Sequence, residues 1–464
     1  MTIRAPRSIR SIFLSATCLL AVAFASCSAP GVRQGSSGPA PTEVPRRLAR
    51  NHPPTVLRGG TLWTATGAIL PDTDIAFAGG HIVAIAKSLP SIEGYIDIDV
   101  HGAIVTPGLV DMHSHLGVYA APNSRAHDDG NEMTSPTTPA VRAIDAFDPE
   151  DAAIARAVAG GVTTSLILPG SGNVIGGQAL YVKLFGATVA EMQVPDAPRS
   201  MKWAMGENPK RTYGHRGMAP MSRMGHAWIL RKILFEARDL KASQDTWDAA
   251  DHPANARPFK PELEPLVALL RGQILLQVHC YEVHDIETLV RIADEFGFRV
   301  AAIHHALEAW KVPKLLHDHG IAVATFADLW GFKLEAYDAS VLAPRVLWEN
   351  GVQLALKTDH PVIDAGDLIF EAAKAHHYGL PEQAALQAVT RNPARAIGLG
   401  DRVGTLEMGK EADIAVWPTS PLRLGARPLR VFVDGVQVIG DGKNRQAAWS
   451  QAQKPAGTGC GCQD

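Results

Sequence analysis

The chain has 464 residues, of which 46% are hydrophobic and 20% are charged, and its formal net charge at pH 7 is -3. A chain of this length and composition can bury a large core, so one large domain with a smaller module is expected. The charge balance gives no basic surface of the kind that binds nucleic acid, and a small-molecule partner is favoured instead.

The first residues are typical of an export signal. Three arginines precede an apolar stretch from Ile12 to Ala25, which is too short for an ordinary membrane-spanning helix. We therefore expect residues 1–27 to be a signal peptide and the mature protein to lie in the periplasm or elsewhere in the cell envelope. Phe24-Ala-Ser-Cys27 approximates a bacterial lipobox, so Cys27 is the expected attachment point of a lipid anchor. Phe24 departs from the usual leucine, and simple cleavage near Ala25 or Ala29 stays open.

Short strands punctuated by Gly and Pro occur near both ends of the chain. Residues 28–53, rich in Ser, Gly, Pro and Arg, are expected to form a flexible tether to the first set of strands, in residues 54–107. A second set lies in residues 401–445. We expect the two sets to pair into one composite β-sandwich domain, followed by a tail at residues 446–464. The tail contains Cys460 and Cys462, but no disulfide framework is predicted.

Between the two sets, in residues 108–400, apolar runs of strand length alternate with helical patterns. Helices are predicted at 149–159, 222–241 and 285–296, and strands include 161–168, 201–205, 321–326 and 352–356. Residues 179–185 are expected to be a strand or an extended loop, and a long loop is expected after residue 205. Strands that alternate with helices predict a parallel sheet, and the predicted fold is a (β/α)8 TIM barrel.

Histidines and one aspartate stand at the polar ends of several of these apolar runs. The run at residues 103–112 ends in His113 and His115, and later runs end in His279, His305 and Asp359. Because side chains alternate along a strand, a His-x-His pair places both imidazoles on one face. The C-terminal ends of barrel strands converge on one mouth, where these groups would form a metal site with an open position for water.

Three motifs resemble the amidohydrolase superfamily, and they are spread over nearly the whole mature chain. They are Val105-Thr-Pro-Gly-Leu-Val-Asp-Met-His-Ser-His115, Gly160-Gly-Val-Thr-Thr, and the segment from Thr390 to Asp413. Residues 170–178 and 206–211 resemble a secreted branch near imidazolonepropionase-like and prolidase-like members. The resemblance implies a barrel with a composite β-domain and a centre of one or two divalent ions, with Zn²⁺ expected.

Each ligand of that centre has an expected role. His113, His115 and Asp359 would bind the more buried ion, and His279 and His305 would bind a second. A divalent ion can activate water, and Asp359 would accept the proton of that water and pass it to the leaving nitrogen. The expected reaction is hydrolysis of an amide-type C–N bond, other than an ordinary protein peptide bond, in an N-acyl amino acid, a dipeptide or a cyclic amide.

A bridging group between two ions has two candidates near the fourth strand. Many relatives use a lysine carboxylated on its amine, which Lys202 could supply, and others use a glutamate at the strand end, as Glu207 could. Glu207 needs no modification and lies at the depth where the other ligands end. Glu207 is therefore the favoured candidate, and Lys202 is the alternative.

Basic residues after the fourth strand are candidates for substrate binding. Paired hydrogen-bond donors here could bind a carboxylate or another anionic group. The predicted substrate-binding residues are Arg211, Tyr213 and Arg216. A solvated loop face is the alternative explanation of this cluster.

Two other function classes remain open. In the first, the spacing His279-Cys-Tyr-Glu282 suits a mononuclear deaminase of the same fold, in which Glu282 shuttles a proton. Glu282 also suits an ordinary carboxylate in the first turn of a helix. In the second, the protein is a lipoprotein that binds a ligand without catalysis, although intact metal ligands would then be unnecessary.

Overall fold

The structure is a computed structural model that describes residues 52–250 and 255–447. The predicted signal peptide, the lipid-anchor cysteine Cys27, most of the tether and the C-terminal cysteines lie outside the described residues. Within the described ranges, no helix is long and apolar enough to cross a membrane.

Strands from both ends of the described chain lie in one nine-stranded sheet. Its order is β18-β17-β16-β15-β5-β1-β2-β3, and β4 pairs with β1. The two sets of strands meet where β5 pairs antiparallel with β15, with Pro107 opposite Ile414. One face buries an apolar cluster in which the rings of Phe77 and Phe432 meet edge to face at 5.1 Å. The strands of this sheet are β1 (Thr55–Trp63), β2 (Ile69–Ala78), β3 (His81–Ala86), β4 (Ile96–Asp99), β5 (Ile104–Pro107), β15 (Ile414–Trp417), β16 (Arg430–Val433), β17 (Val436–Gly440) and β18 (Lys443–Asn444).

Nine further strands form two central sheets. A six-stranded sheet has the order β14-β13-β12-β11-β10-β8, and β10 to β14 are parallel neighbours. A three-stranded sheet has the order β6-β7-β9, in which β6 and β7 are parallel. The buried residues of β6 and β7 form continuous runs, as expected for parallel strands covered on both faces. The strands are β6 (Leu109–Ser114), β7 (Val162–Ile167), β8 (Ile175–Gln178), β9 (Leu180–Lys183), β10 (Arg199–Ala204), β11 (Ile274–Cys280), β12 (Val300–His305), β13 (Ala322–Thr325) and β14 (Leu354–Leu356).

The end of β6 lies beside the segment that follows β14. Ser114 and His360 form a parallel bridge, and the backbone N–H of Asp359 donates to the carbonyl of His113 at 2.9 Å. These contacts bring the His-x-His motif against Asp359. The architecture is mixed α/β, and a closed barrel of eight strands stays a prediction, as do the domain boundaries.

The helices between and after the central strands largely follow the sequence pattern. They are α1 (Ala152–Ala159), α2 (Val189–Met192), α3 (Glu207–Gly214), α4 (Arg223–Ala249), α5 (Glu264–Leu270), α6 (Val283–Phe296), α7 (Pro313–Asp318), α8 (Ala343–Glu349), α9 (Leu368–His377), α10 (Glu382–Gln387) and α11 (Arg391–Ala396). The side chains of Asp151 and Ser222 accept hydrogen bonds from backbone N–H groups in the first turns of α1 and α4. Gly297 ends α6 in the left-handed conformation, at φ 71°.

One local expectation was wrong. The segment after β10 is the helix α3 rather than a loop, and Pro209 fits because it lies in the first turn, where no N–H donor is needed. Gly176 and Gly177 lie in the strand β8, which pairs antiparallel with β10. Short glycine-rich strands of this kind lack the apolar alternation that identifies a strand from sequence.

Candidate metal centre

Three histidines surround Asp359 at the ends of β6 and β12. The distance from Asp359 Oδ1 to Nε2 is 3.0 Å for His113 and 3.3 Å for His115, and Asp359 Oδ2 lies 3.5 Å from Nδ1 of His305. The possible ligand atoms of His113, His305 and Asp359 all lie within 4.8 Å of one another. All four side chains are buried. The arrangement can hold a cation.

His279, at the end of β11, lies next to this group. Its ring centroid is 4.3 Å from that of His305. Within the described residues, neither ring nitrogen of His279 has a hydrogen-bond partner, and Nε2 of His305 has none. Leaving a buried polar group unpaired costs roughly 1–3 kcal/mol. Such nitrogens fit the role of metal ligands, because a bound metal ion would be the partner that they lack.

The backbone at two of these positions is unusual. His305 has φ 67° and Asp359 has φ 57°, in the left-handed region that side chains other than glycine seldom adopt. The two side chains meet, with His305 Nδ1 at 3.5 Å from Asp359 Oδ2. Non-glycine residues held in this region cluster at functional sites.

Asp111 forms hydrogen bonds with the strand that carries the His-x-His motif and with the residue before Asp359. Its Oδ1 accepts a hydrogen bond from the backbone N–H of His113 at 3.2 Å, and its Oδ2 accepts one from the hydroxyl of Thr358. Burial raises the pKa of Asp111 to about 6, although these hydrogen bonds oppose the shift. Asp111 thus links β6 to the residue that precedes Asp359.

Asp359 is ionised in this environment. Burial alone would raise its pKa, but the Lys357 ammonium and the neighbouring side chains of His305 and His113 hold the pKa well below its usual range. The carboxylate therefore carries the negative charge that favours binding of a cation.

The two bridging candidates lie in different places. Lys202 on β10 is fully buried, and its Nζ lies 3.4 Å from His113 Nε2 and donates to the carbonyl of Pro169 at 3.2 Å. Glu207 begins α3, and its carboxylate lies 3.5 Å from Lys333 Nζ. The contact of its amine with His113 favours Lys202, and the choice between the two candidates stays a prediction.

Lys357 is a second buried lysine at the centre, and the sequence analysis missed it. Its Nζ lies 2.8 Å from His305 Nδ1, 3.5 Å from Asp359 Oδ2 and 3.5 Å from the centre of the Phe326 ring. Burial lowers its pKa to about 8. Its position two residues before Asp359 is a signal that could have identified it, because residues two apart point to the same face of an extended segment.

A cavity of about 490 Å³ opens above the histidines that surround Asp359. His115, His279, His305 and Asp359 line its base. One side carries Asn208, Arg211 and Lys333, and the ring of Tyr281 stacks on that of His305 at 5.1 Å. Lys333 Nζ lies 4.0 Å above the ring of Tyr281, and Phe332 and Val362 add an apolar wall.

Of the three predicted substrate-binding residues, Arg211 lines this cavity. Tyr213 is buried, and its hydroxyl donates to the carbonyl of Ser135 at 2.7 Å. Arg216 is exposed and donates to the carbonyl of Met133 at 3.1 Å. Neither of these two is among the lining residues. Lys333, which the sequence analysis did not consider, lies in the loop after β13.

Glu282 belongs to a separate ionic cluster outside the cavity lining. Arg223 pairs with Glu282, with Asp285 at 2.9 Å and with Glu335 at 2.6 Å. Glu335 also accepts a hydrogen bond from the backbone N–H of Glu207 at 2.7 Å. The cluster joins α4, α6 and the loop after β13 at the rim. The guanidinium of Arg223 is therefore the cation that these three carboxylates share.

The chain is similar to known amidohydrolases and to imidazolonepropionases. The sequence profile of the Amidohydrolase family matches residues 278–438. Amidohydrolase tasK of Hapsidospora irregularis is 37% identical over 449 residues, which are 88% of this chain, and the chain spans only 45% of that protein. Imidazolonepropionase of Thermoplasma volcanium is 26% identical over 75% of this chain and 84% of its own length. The crystal structure of an amidohydrolase from Thermotoga maritima MSB8 has a TM-score of 0.78 and 35% identity, over 83% of this chain and 100% of that one.

Proposed function

Because the chain belongs to the amidohydrolase family, we propose that it hydrolyses an amide-type C–N bond in a small substrate. An N-acyl amino acid, a dipeptide and a cyclic amide are the candidate substrates. The observation that carries the proposal is the group of buried histidines around Asp359 at the base of the cavity, with ring nitrogens that lack partners among the described residues. The two central sheets would form the (β/α)8 barrel that supports this group. The parallel order of β10 to β14 and the contact of β6 with the segment after β14 favour that closure.

The centre would hold one or two divalent ions, and Zn²⁺ is the expected metal. His113, His115 and Asp359 would bind one ion, and His279 and His305 the other. A bound divalent ion would polarise the scissile carbonyl and lower the pKa of water. Imidazole and carboxylate donors together suit zinc.

Lys202, carboxylated on its amine, is the proposed bridging group in place of Glu207. Burial lowers the pKa of Lys202 to about 7, so a substantial fraction of the amine is neutral near pH 7. A neutral amine can attack carbon dioxide, which forms a C–N bond and releases one proton to solvent. The product is an anionic carbamate next to His113.

Asp359 would first accept and then donate the proton that moves during the reaction. Its carboxylate accepts the proton of the attacking water and returns it to the nitrogen that leaves as the C–N bond breaks. Arg211 and Lys333 would bind an anionic group of the substrate, and Tyr281, Phe332 and Val362 would contact its apolar part.

The protein is also proposed to be exported, with Cys27 as the site of lipid attachment. The charged start and apolar core of residues 1–27 support this proposal. The mature N-terminus of the native protein tests it, since cleavage predicts no residue before Ser26.

Two substitutions separate amide hydrolysis from deamination. Asp359→Asn should lower kcat by about a hundredfold to ten-thousandfold, because proton acceptance and leaving-group protonation both fail. Glu282→Gln should lower kcat by less than about tenfold, since Glu282 pairs with Arg223 outside the cavity lining. Steady-state kinetics on a panel of N-acyl amino acids measures both effects. Ammonia release from an aminated heterocycle, with activity lost in Glu282→Gln, would contradict the proposal.

A further inference from the structure

A second cavity lies at the opposite end of the parallel strands from the candidate metal centre. It has a volume of about 540 Å³ and is lined by residues that stand where β11 to β14 begin. His279 and His305, in contrast, stand near the ends of β11 and β12. Substrate sites of parallel α/β folds lie at the C-terminal ends of the strands. The second cavity is therefore separate from the site of the proposed hydrolysis.

Three arginines line this second cavity, and none of the described residues that line it is acidic. Arg271 precedes β11, Arg299 precedes β12, and Arg395 lies on α11. Arg271 is paired, since its Nη2 lies 2.5 Å from Asp245 Oδ1. Within the described ranges, the side chains of Arg299 and Arg395 have neither a hydrogen bond nor an ion pair. Two positive charges at the cavity therefore lack a carboxylate partner in this part of the chain.

The guanidinium of Arg299 lies beside the turn that precedes β13. Its Nη2 is 3.8 Å from the place that a Cβ atom would take at Gly320, and Gly320 also lines the cavity. Leu275, in β11, and Phe298, before β12, add apolar surface to the lining. The cavity thus combines unpaired cations with an apolar wall.

The position of Arg395 is fixed because α11 is bound to β14. Gln353 Nε2 donates to the carbonyl of Asn392, and Asn392 Nδ2 donates to the carbonyl of Leu354, both at 2.8 Å. Arg391 lies one helical turn before Arg395, and burial together with the charge of Arg395 lowers the pKa of Arg391. Like charges at this spacing repel. An anion bound at Arg395 would reduce this repulsion.

We propose that the second cavity binds a soluble phosphate monoester with a small apolar substituent. A phosphate monoester carries close to two negative charges at neutral pH, which match the two unpaired guanidinium groups better than the single charge of a carboxylate does. Guanidinium groups bind phosphate oxygens through pairs of N–H donors. Leu275 and Phe298 would contact the substituent.

Isothermal titration calorimetry with phenyl phosphate tests this proposal. At least one molecule should bind per chain of the native protein, and one should still bind after a chelator has removed divalent ions, which themselves bind phosphate. Arg299→Gln and Arg395→Gln each remove a charge-assisted contact, so each should weaken this binding by about tenfold or more. Inorganic phosphate, which has no ring, and benzoate, which has one negative charge, should both bind more weakly than phenyl phosphate.

Arg291→Gln is the matched control, because Arg291 is exposed on α6 and does not line the cavity. This substitution should leave the affinity for phenyl phosphate unchanged. The proposal would be overturned if the wild type showed no saturable binding, a measurement that needs no variant to fold. Loss of all binding after chelation would overturn it too, because the probe would then occupy the metal centre. Equal weakening by all three substitutions, in variants that keep the wild-type circular dichroism spectrum, would also contradict it.

Discussion

At the residue scale, Lys202 and Glu207 show how side-chain reach decides which group meets the histidines. Lys202 stands deeper in β10, but its amine lies within 3.4 Å of His113 Nε2, whereas the carboxylate of Glu207 meets Lys333. The sequence places both residues near the fourth strand. In the structure, Glu207 is the first residue of α3 and pairs with Lys333.

This difference gives a prediction for metal content. Lys202→Met should lose one of two ions and most of the activity, because no other carbamate can form at that position. Glu207→Gln should retain both ions, and added bicarbonate should raise the activity of wild type during reconstitution. Elemental analysis of the two variants side by side measures this. The opposite pattern, with metal lost only in Glu207→Gln, would restore Glu207 as the ligand.

The sequence indicates the candidate ligand residues more clearly than it indicates the residues that contact them. His113, His115, His279, His305 and Asp359 could be identified because each one ends an apolar run. The contact between Lys202 Nζ and His113 Nε2 could not be predicted in this way, since it depends on which residues meet across strands. That register is set by packing of the whole sheet rather than by any local pattern.

At the scale of elements, one buried lysine joins the nine-stranded sheet to the central strands. Nζ of Lys183, on β9, lies 2.5 Å from Asp413, 2.6 Å from Glu411 and 3.1 Å from Asp434. Asp413 also accepts from the hydroxyl of Thr164 on β7 at 3.0 Å. The aspartate that ends the late motif of the sequence is therefore part of an inter-sheet contact.

Removing the cation from this contact should destabilise the protein. Lys183→Met leaves three acidic groups without their shared partner, and the free energy of unfolding should fall by about 3–5 kcal/mol. Urea unfolding measures this change in the free energy of unfolding. The control is Arg142→Ala, which removes the exposed ion pair with Asp145. The control should change far less, because exposed ion pairs contribute little. Equal effects of the two substitutions would show that Lys183 does not hold the sheets together.

Helix boundaries show where local patterns give incomplete predictions. The helix predicted at 222–241 continues to Ala249, where Gln244 is buried and donates to Glu264 at 2.7 Å. The polar residues of its last two turns resemble a loop in sequence. A tertiary contact with the next helix accounts for the extra turns, as is common where propensity is weak.

At the scale of the whole molecule, the family resemblance is confirmed by the match to the Thermotoga maritima structure over the whole of that chain. The mixed α/β architecture could be predicted because strands and helices alternate through residues 108–400. The pairing of β5 with β15 brings residues about 300 positions apart into one sheet. Substrate identity could not be predicted, because the cavity walls come from loops such as the one that carries Phe332 and Lys333.

The metal content of the native protein tests the central claim most directly. Protein purified without added metal or chelator should contain about one to two divalent ions per chain, as three or more protein ligands per ion would hold them. Removing the ions with a chelator should abolish amide hydrolysis, and adding Zn²⁺ should restore it while the fold stays intact by circular dichroism. A metal-free protein that hydrolyses the same substrate at the full rate would contradict the account.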